Sequence, residues 1–125
     1  MKDIVRVLII DDEPNLRTTL AMILRRAGYD VSVATCAGDV AQYLDDEKYD
    51  LFLLDVRLPD GNGLDLLPAI RRSNPGVPVL VLTAYAAPEV EDQAKKRGAI
   101  DFLVKPVDPM RIVRHVNKIV GQRFV

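Results

Sequence analysis

The stretch VRVLIIDDEP, residues 5–14, is the strongest indication of how this chain folds. Val5–Ile10 is a mainly apolar run, which is typical of a strand buried on both faces of a parallel sheet. Pro14 fits the first turn of a following helix, where its missing N–H does no harm. Asp11 and Asp12 therefore fall at the carboxyl end of a strand, and this is the edge at which open α/β sheets bind ligands.

Four further strand–helix alternations follow the first. The remaining apolar runs predict strands at Val31–Ala34, Leu51–Leu54, Val79–Leu82 and Phe102–Val104. Apolar residues at helical spacing predict helices from Pro14 to a stop at Gly28, and at Gly38–Asp46, Leu64–Ser73, Pro88–Arg97 and Met110–Val120. The segment 59–63 indicates a turn. Strands alternating with helices imply right-handed crossovers and an α/β domain whose parallel sheet is covered on both faces.

The composition indicates one domain from a reducing compartment. A chain of 125 residues can form one apolar core, and its 49% hydrophobic residues include no run long enough to span a membrane. No charged-then-apolar signal segment opens the chain, and the single cysteine, Cys36, fits a reducing cytosol. We therefore expect a cytoplasmic protein without a membrane partner.

The distribution of charge gives little sign of a nucleic-acid site. The net charge is −1, so the chain has no general attraction to polyanions. Residues 1–65 contain 7 basic and 13 acidic residues, whereas residues 89–125 contain 8 basic and 5 acidic residues. A weakly basic C-terminal third is more often a solvated surface than a DNA site, and we expect no direct binding of nucleic acid.

Polar side chains at the ends of the predicted strands form one set. The first strand is followed by Asp11 and Asp12, the third by Asp55, the fourth by Thr83 and the fifth by Lys105. Three carboxylates at one edge repel one another, and their oxygen ligands suit a hard cation such as Mg²⁺. An aspartate can accept a phosphoryl group, and a lysine and a hydroxyl can bind the phosphoryl oxygens. The set therefore predicts phosphoryl chemistry on a carboxylate beside a metal ion.

Taken in order, these residues resemble the receiver domains of two-component response regulators. The resemblance rests on Asp-Asp, Asp, Thr-Ala and Lys-Pro after the first, third, fourth and fifth strands, and we assign residues 1–125 to one receiver domain. The segments LPDGNG (58–63) and GAIDFLVKP (98–106) are most similar to receivers of sigma-54-dependent or nitrogen-regulation-type activators. The resemblance implies a doubly wound, flavodoxin-like (βα)5 fold with five parallel strands in the order 2-1-3-4-5.

The resemblance also implies which residues bind the metal and accept the phosphoryl group. Asp55 is the expected phosphoacceptor. Asp12 and Asp55 are expected to ligate Mg²⁺ directly, with Asp11 acting mainly through water. The backbone carbonyl of Arg57 is a further expected ligand, which leaves its side chain free to vary.

The other implied roles concern phosphoryl contact and switching. Lys105, joined to Pro106 by a cis peptide bond, is expected to contact the phosphoryl group. Thr83 and Phe102 form the expected switch pair, in which Thr83 moves toward the phosphate and Phe102 turns inward. Phe102 stands where tyrosine is commoner in receivers, so this chain lacks a hydroxyl that could report the ring's position to a partner.

The implied function is a signalling switch and not an enzyme with its own substrate. A histidine kinase or phosphotransfer protein is expected to supply the phosphoryl group, and the receiver catalyses only its own phosphorylation and dephosphorylation. The output is expected at the surface of the fourth helix, fifth strand and fifth helix, where receivers commonly form homodimers or contact an effector domain. The resemblance to activators implies regulation of transcription.

Two other classes of protein share parts of this pattern. An aspartyl-phosphate-forming phosphohydrolase of the haloacid dehalogenase type would use Asp11 and Glu13, but it would leave Asp55 without a role and requires room for a cap domain. Turnover of a phosphate ester would identify it. A nucleotide-binding Rossmann module needs a glycine-rich loop after its first strand, whereas the acidic loop here would repel a pyrophosphate.

A few positions carry separate expectations. Arg57 and Tyr85 are expected to project over the phosphoryl group from opposite sides and to slow its hydrolysis. His115, the only histidine, is expected to be exposed on the polar side of the last helix. Phe124 and Val125 are apolar and could begin a linker or extend the last helix.

Overall fold

The computed structural model describes residues 4–123, so the expectation for Phe124 and Val125 lies outside the described residues. Five parallel strands form the main sheet, and a two-stranded hairpin lies beside it. The sheet contains β1 (Arg6–Ile10), β2 (Asp30–Ala34), β3 (Leu51–Asp55), β6 (Val79–Thr83) and β7 (Asp101–Val104), and the hairpin contains β4 (Arg57–Leu58) and β5 (Gly61–Asn62). The helices are α1 (Pro14–Arg26), α2 (Ala37–Asp46), α3 (Leu67–Ser73), α4 (Pro88–Lys96) and α5 (Pro109–Arg123).

The order of the main sheet is β2-β1-β3-β6-β7. Without the hairpin strands this is the predicted order 2-1-3-4-5, and the predicted parallel, doubly wound architecture is confirmed. Pro14 occupies the start of α1, and Gly28 follows that helix with a φ of 99°, a left-handed conformation that glycine adopts without steric cost. The predicted start and stop signals of the first helix therefore act as expected.

Alternate residues of the central strands pack into two apolar cores, one on each face of the sheet. In β1, Leu8 and Ile10 belong to the core beneath α2, α3 and α4, whereas Val7 and Ile9 belong to the core beneath α1 and α5. All four side chains are fully buried, and each such aliphatic side chain contributes roughly 1.5–3 kcal/mol. Burial on both faces explains why this strand lacks the polar alternation of a half-exposed one.

The structure differs from the prediction in the segment after β3. The segment 59–63 was predicted as a turn only, but Gly61–Asn62 also pairs with Arg57–Leu58 in the hairpin. The predicted single helix Leu64–Ser73 is a 3₁₀ turn, Gly63–Leu66, followed by α3. Pro68 explains the division, because its ring would clash with the carbonyl four residues earlier in a continuous α-helix.

Two further differences concern the last helix. It was predicted to end at Val120, but α5 continues through Gly121 to Arg123, whose guanidinium donates to the carbonyl of Gly76 at 2.7 Å. His115 was predicted to be exposed, but its side chain is only 28% exposed and its Nδ1 lies 3.2 Å from Oδ2 of Asp101. This contact joins α5 to β7 and is invisible in the helical pattern alone.

Candidate functional site

The ends of four strands bring the predicted site residues together. Asp11 and Asp12 follow β1, Asp55 ends β3, Thr83 ends β6 and Lys105 follows β7. The strands that carry them are paired in parallel and in register up to this point. The five side chains therefore lie at the same carboxyl edge of the sheet, as the sequence predicts.

The three aspartates form a compact group of oxygen atoms. One carboxylate oxygen each of Asp11, Asp12 and Asp55 lies within 4.8 Å of the other two. Asp11 is 1% exposed and Asp55 is 6% exposed, whereas Asp12 is open to solvent. An acidic, all-oxygen donor set with one open side fits a hard divalent cation, because such a cation relieves the repulsion among the carboxylates. The group is thus able to hold a metal ion.

Lys105 supplies the positive charge that balances this group within the protein. Its Nζ lies 2.8 Å from Oδ2 of Asp11, 3.0 Å from Oδ2 of Asp55 and 3.4 Å from Oε1 of Glu13. The Lys105 side chain is only 8% exposed, so these are charge-assisted hydrogen bonds in a partly desolvated site. The Lys105–Pro106 peptide bond is cis, as predicted.

Burial and neighbouring charges shift the pKa values of Lys105 and Asp55 in opposite directions. Burial alone would lower the pKa of Lys105, but hydrogen bonds and charge from Asp11 and Asp55 outweigh it and raise the pKa to about 12. Burial raises the pKa of Asp55 above its ordinary value, while the hydrogen bond from Lys105 opposes that rise. The carboxylate of Asp55 is therefore more basic than an exposed one, and its ionised form depends on the lysine.

A glycine fixes the backbone behind Asp55. The N–H of Gly63 donates to the carbonyl of Val56 at 2.6 Å. A Cβ atom at Gly63 would lie 1.9 Å from the carbonyl oxygen of Asp55, so any other residue would force the two segments apart. The close approach sets the path of the chain between Asp55 and Arg57, whose N–H points back to Oδ1 of Asp55 at 3.3 Å.

The two residues of the predicted switch pair are both buried. Thr83 has no exposed surface, and its Oγ1 accepts a hydrogen bond from the N–H of Tyr85 at 3.0 Å. The Phe102 ring is 8% exposed and belongs to the core that includes Val81 and Ala94. Without a hydroxyl, the ring has no polar group to keep it at the surface, so its inward position is the favourable one.

Arg57 and Tyr85 meet instead of lying on opposite sides of the site. The guanidinium carbon of Arg57 is 4.0 Å from the centre of the Tyr85 ring, which is a cation–π contact. Arg57 lines a cavity of about 430 Å³ together with Asp55, Thr83 and Lys105. Arg57 thus lies on the cavity wall with Tyr85 stacked against it, and the expectation of two guards on opposite sides needs this correction.

Sequence reasoning overlooked one contributor to the site and one contact outside it. Glu13 was considered only for the phosphohydrolase alternative, yet its carboxylate reaches Lys105. The sequence predicts only a turn at Asp60, yet its carboxylate accepts hydrogen bonds from the N–H groups of Ala37 and Gly38 at 2.7 and 2.8 Å. The spacing of Glu13 two residues after Asp11 was a signal for the first contact, whereas nothing local could have indicated the second.

A five-stranded parallel sheet of this order, with acids and a lysine at its carboxyl edge, defines the class of CheY-like signalling domains. The chain belongs to the response regulator receiver domain family, whose family model matches residues 7–117.

Similar curated proteins are regulators of transcription. The response regulator protein PilR of Pseudomonas aeruginosa is 44% identical over 107 residues, which are 86% of this chain and 24% of PilR. The transcriptional regulatory protein ZraR of Escherichia coli is 37% identical over 85% of this chain and 24% of its own length. The chain thus spans about a quarter of the length of these relatives.

Solved structures agree with the assignment. A CheY-like receiver domain protein from Methanospirillum hungatei superposes with a TM-score of 0.89 at 29% identity, over 95% of both chains. A Burkholderia pseudomallei response regulator, described as having a phosphorylated aspartic acid, a calcium ion and citrate, superposes with a TM-score of 0.81 at 29% identity, over 96% of this chain and 73% of its own.

The family assignment decides between the classes considered above. Receiver domains are phosphorylation-controlled signalling switches, so the phosphohydrolase and the nucleotide-binding module are not favoured. Within residues 4–123, no helix is both long and apolar enough to cross a membrane.

Proposed function

We propose that residues 1–125 form one receiver domain that accepts a phosphoryl group on Asp55 from a histidine kinase or phosphotransfer protein. The observation that carries this proposal is the Lys105 amine, which lies within hydrogen-bonding distance of both Asp11 and Asp55 at the open edge of the sheet. Such an arrangement keeps a buried carboxylate ionised and places a cation beside the atom that would react.

The metal in this proposal is Mg²⁺. Asp12 and Asp55 would hold it directly, Asp11 mainly through water, and the carbonyl of Arg57 would add a third direct protein oxygen, a donor set typical of this ion. When bound, Mg²⁺ supplies charge that neutralises phosphoryl oxygens.

The chain's own residues carry out the transfer. A carboxylate oxygen of Asp55 forms the new bond to phosphorus, while the bond from phosphorus to the donor's histidine nitrogen breaks and the imidazole leaves with the electron pair. The hydrogen bond from Lys105 favours the ionised form of Asp55 against the rise in pKa that burial causes. Lys105 then offers its ammonium to an oxygen of the acyl phosphate, and the Thr83 hydroxyl offers a hydrogen bond to another.

The output of the switch is a change in the surface formed by α4, β7 and α5. Movement of Thr83 toward the phosphate, with Phe102 held inward, would alter this face for a homodimer or an effector domain. Apolar side chains on or beside β7 support the proposal, since Ile100 is 47% exposed and Val104 is 46% exposed. The domain itself would bind neither nucleic acid nor membrane, and it would act in the cytoplasm to regulate transcription, as befits a relative of the transcriptional regulatory protein ZraR.

The test is chemical modification with a small phosphodonor. Incubation with acetyl phosphate and Mg²⁺ should add one phosphoryl group that base and hydroxylamine remove. The domain should catalyse both its own phosphorylation and the later hydrolysis without another protein. Asp55→Asn should abolish the addition, whereas Asp45→Asn, at an exposed position of α2, should not. Stable phosphoserine or phosphothreonine as the sole product would contradict the proposal.

A further inference from the structure

The first turn of α2 is capped by a residue that lies far away in the sequence. The Asp60 carboxylate accepts hydrogen bonds from the N–H groups of Ala37 and Gly38, through Oδ1 at 2.7 Å and Oδ2 at 2.8 Å. These two N–H groups hold the pKa of Asp60 below its ordinary value. Cys36, the residue in the usual capping position, makes no capping hydrogen bond with its side chain. Asp60 thus performs a task normally done by a neighbour.

Capping alone does not account for this arrangement. The N-terminal residues that precede α1 and α4, Glu13 and Ala87, make no side-chain capping bond either, and both helices form without one from these positions. The contact therefore fixes the segment that contains Asp60 at least as much as it fixes α2.

That partner is the tip of the hairpin next to the phosphoacceptor. Asp60 lies between β4 and β5, in the two-residue turn that joins Leu58 to Gly61. At its other end the hairpin is fixed by Gly63, which donates to the Val56 carbonyl and packs so near the Asp55 carbonyl that no side chain would fit between them. The hairpin is therefore held at two points, and the contact between Asp60 and α2 is the outer one.

Arg57 lies between these two anchors, at the start of β4. Its N–H points at Oδ1 of Asp55, and its carbonyl is the backbone oxygen assigned to the metal. If the tip of a short hairpin is released, the orientation of its peptide groups is less well fixed, and a carbonyl ligand must then be ordered at the moment of binding. Groups that hold a ligand in place in this way typically change metal affinity by about 10- to 100-fold.

We propose that Asp60 is a positioning residue for the divalent metal of the receiver, acting through the hairpin on the carbonyl of Arg57. The inference rests on the proposed Mg²⁺ site. It also links α2 to the metal, since by reciprocity any effect of α2 on binding is matched by an effect of binding on α2.

The experiment is a titration of the purified chain with MgCl₂, in which binding is measured by calorimetry and by amide NMR. Asp60→Ala should weaken Mg²⁺ binding about tenfold. Asp60→Asn should lie between it and the wild type, because its single amide oxygen can still accept one of the two N–H groups. The control is Asp45→Ala, which removes the same charge from an exposed position near the other end of α2.

Two readouts separate positioning from a merely structural role. Thermal melting without Mg²⁺ reports the loss of the cap, and the titrations are made well below the melting temperature of every variant. In the wild type, Mg²⁺ should also shift the amide signals of Ala37 and Gly38, and Asp60→Ala should remove that response.

Each outcome has a definite meaning. If the wild type binds Mg²⁺ and Asp60→Ala binds it as tightly as Asp45→Ala does, Asp60 is only a helix cap and the inference is overturned. If the wild type and Asp12→Ala are alike in showing no binding, the proposed metal site itself is wrong, and the inference fails with it.

Discussion

The two ends of the central sheet both contain buried polar side chains, but they use them differently. At the amino end, Asn74 is 5% exposed and its Oδ1 accepts the N–H of Tyr49 at 2.7 Å. Oδ2 of Asp50 accepts the N–H of Arg6 at 2.9 Å. These acceptors bond to backbone N–H groups and hold loops in place, and the ion pairs of Arg6 with Asp30 and Glu47 at this end are exposed to solvent.

At the carboxyl end the polar side chains face one another. Lys105, Asp11 and Asp55 form charged contacts of 2.8–3.0 Å, and burial raises the pKa of Asp55. The larger cavity, about 620 Å³, is at the amino end, whereas the one at the carboxyl end is about 430 Å³. The comparison teaches that a reactive site is better located by buried charged side chains that shift one another's pKa values than by the size of a cavity.

The largest expected effect is that of removing the cation at the carboxyl end. Lys105→Met leaves Asp11 and Asp55 buried without a cationic partner and should lower the free energy of unfolding by about 3–5 kcal/mol at neutral pH. Urea denaturation measures the loss, and Lys118→Met, on the exposed side of α5, is the control. Because Lys105 no longer competes for the carboxylates, millimolar Mg²⁺ should raise the melting temperature of the variant more than that of the wild type.

The pH dependence of stability in the wild type and Lys105→Met gives a second measure of what the Lys105 ion pairs contribute. Folding raises the pKa of Lys105 from 10.5 to about 12, so its contribution is complete below pH 10.5 and is lost as the pH rises through about 12. The shift corresponds to about 2 kcal/mol. The stability difference between wild type and Lys105→Met should therefore shrink over that range, and a constant difference would show that the ion pairs contribute little.

The next effect concerns transmission from the site. Thr83→Ala should leave Asp55 able to accept phosphate but should uncouple it from the α4–β7–α5 surface, since a hydrogen bond to a charged group contributes about 1.5–3 kcal/mol. That is enough to reverse a modestly biased two-state equilibrium. NMR shifts in α4 and β7 on phosphorylation report the coupling, and Thr83→Ser should retain them. Equal shifts in Thr83→Ala and the wild type would exclude this hydroxyl as the relay.

A smaller effect is expected at the amino end. Asn74→Ala removes the acceptor of the buried Tyr49 N–H and should cost about 1 kcal/mol, at the low end for an orphaned group. The low value is expected because Nδ2 of Asn74 has no hydrogen-bond partner among residues 4–123 and its own desolvation penalty disappears with it. Urea denaturation should show the loss, while the phosphorylation rate should not change. A slower rate would mean that the two ends are coupled.

The sequence was informative where a property depends on one strand and the residue after it. The buried runs predicted the sheet, and the acids, threonine and lysine that follow them predicted the edge, because parallel strands share their carboxyl ends. It was uninformative where a contact joins segments with no common pattern. The cap from Asp60 to α2 and the stacking of Arg57 on Tyr85 depend on loops whose paths only tertiary packing fixes. The pairing of His115 with Asp101 depends on how α5 lies against β7.

The smallest expected effect concerns the lifetime of the phosphoryl group, and it depends on the stacked pair. Hydrolysis needs a water in line with the phosphorus–oxygen bond, and a cation–π pair beside the cavity hinders its approach only while both members are present. An exposed pair of this kind is worth about 0.5–1 kcal/mol, which is about a two- to fivefold change in rate. Arg57→Asn and Tyr85→Ala should each speed the decay of labelled phosphoprotein by that factor, with Arg72→Asn as an exposed control.

The double variant should decay no faster than the faster single one, because two residues that act as a unit are not additive. Decay that is unchanged or slower in both single variants would show that the stack does not guard the site.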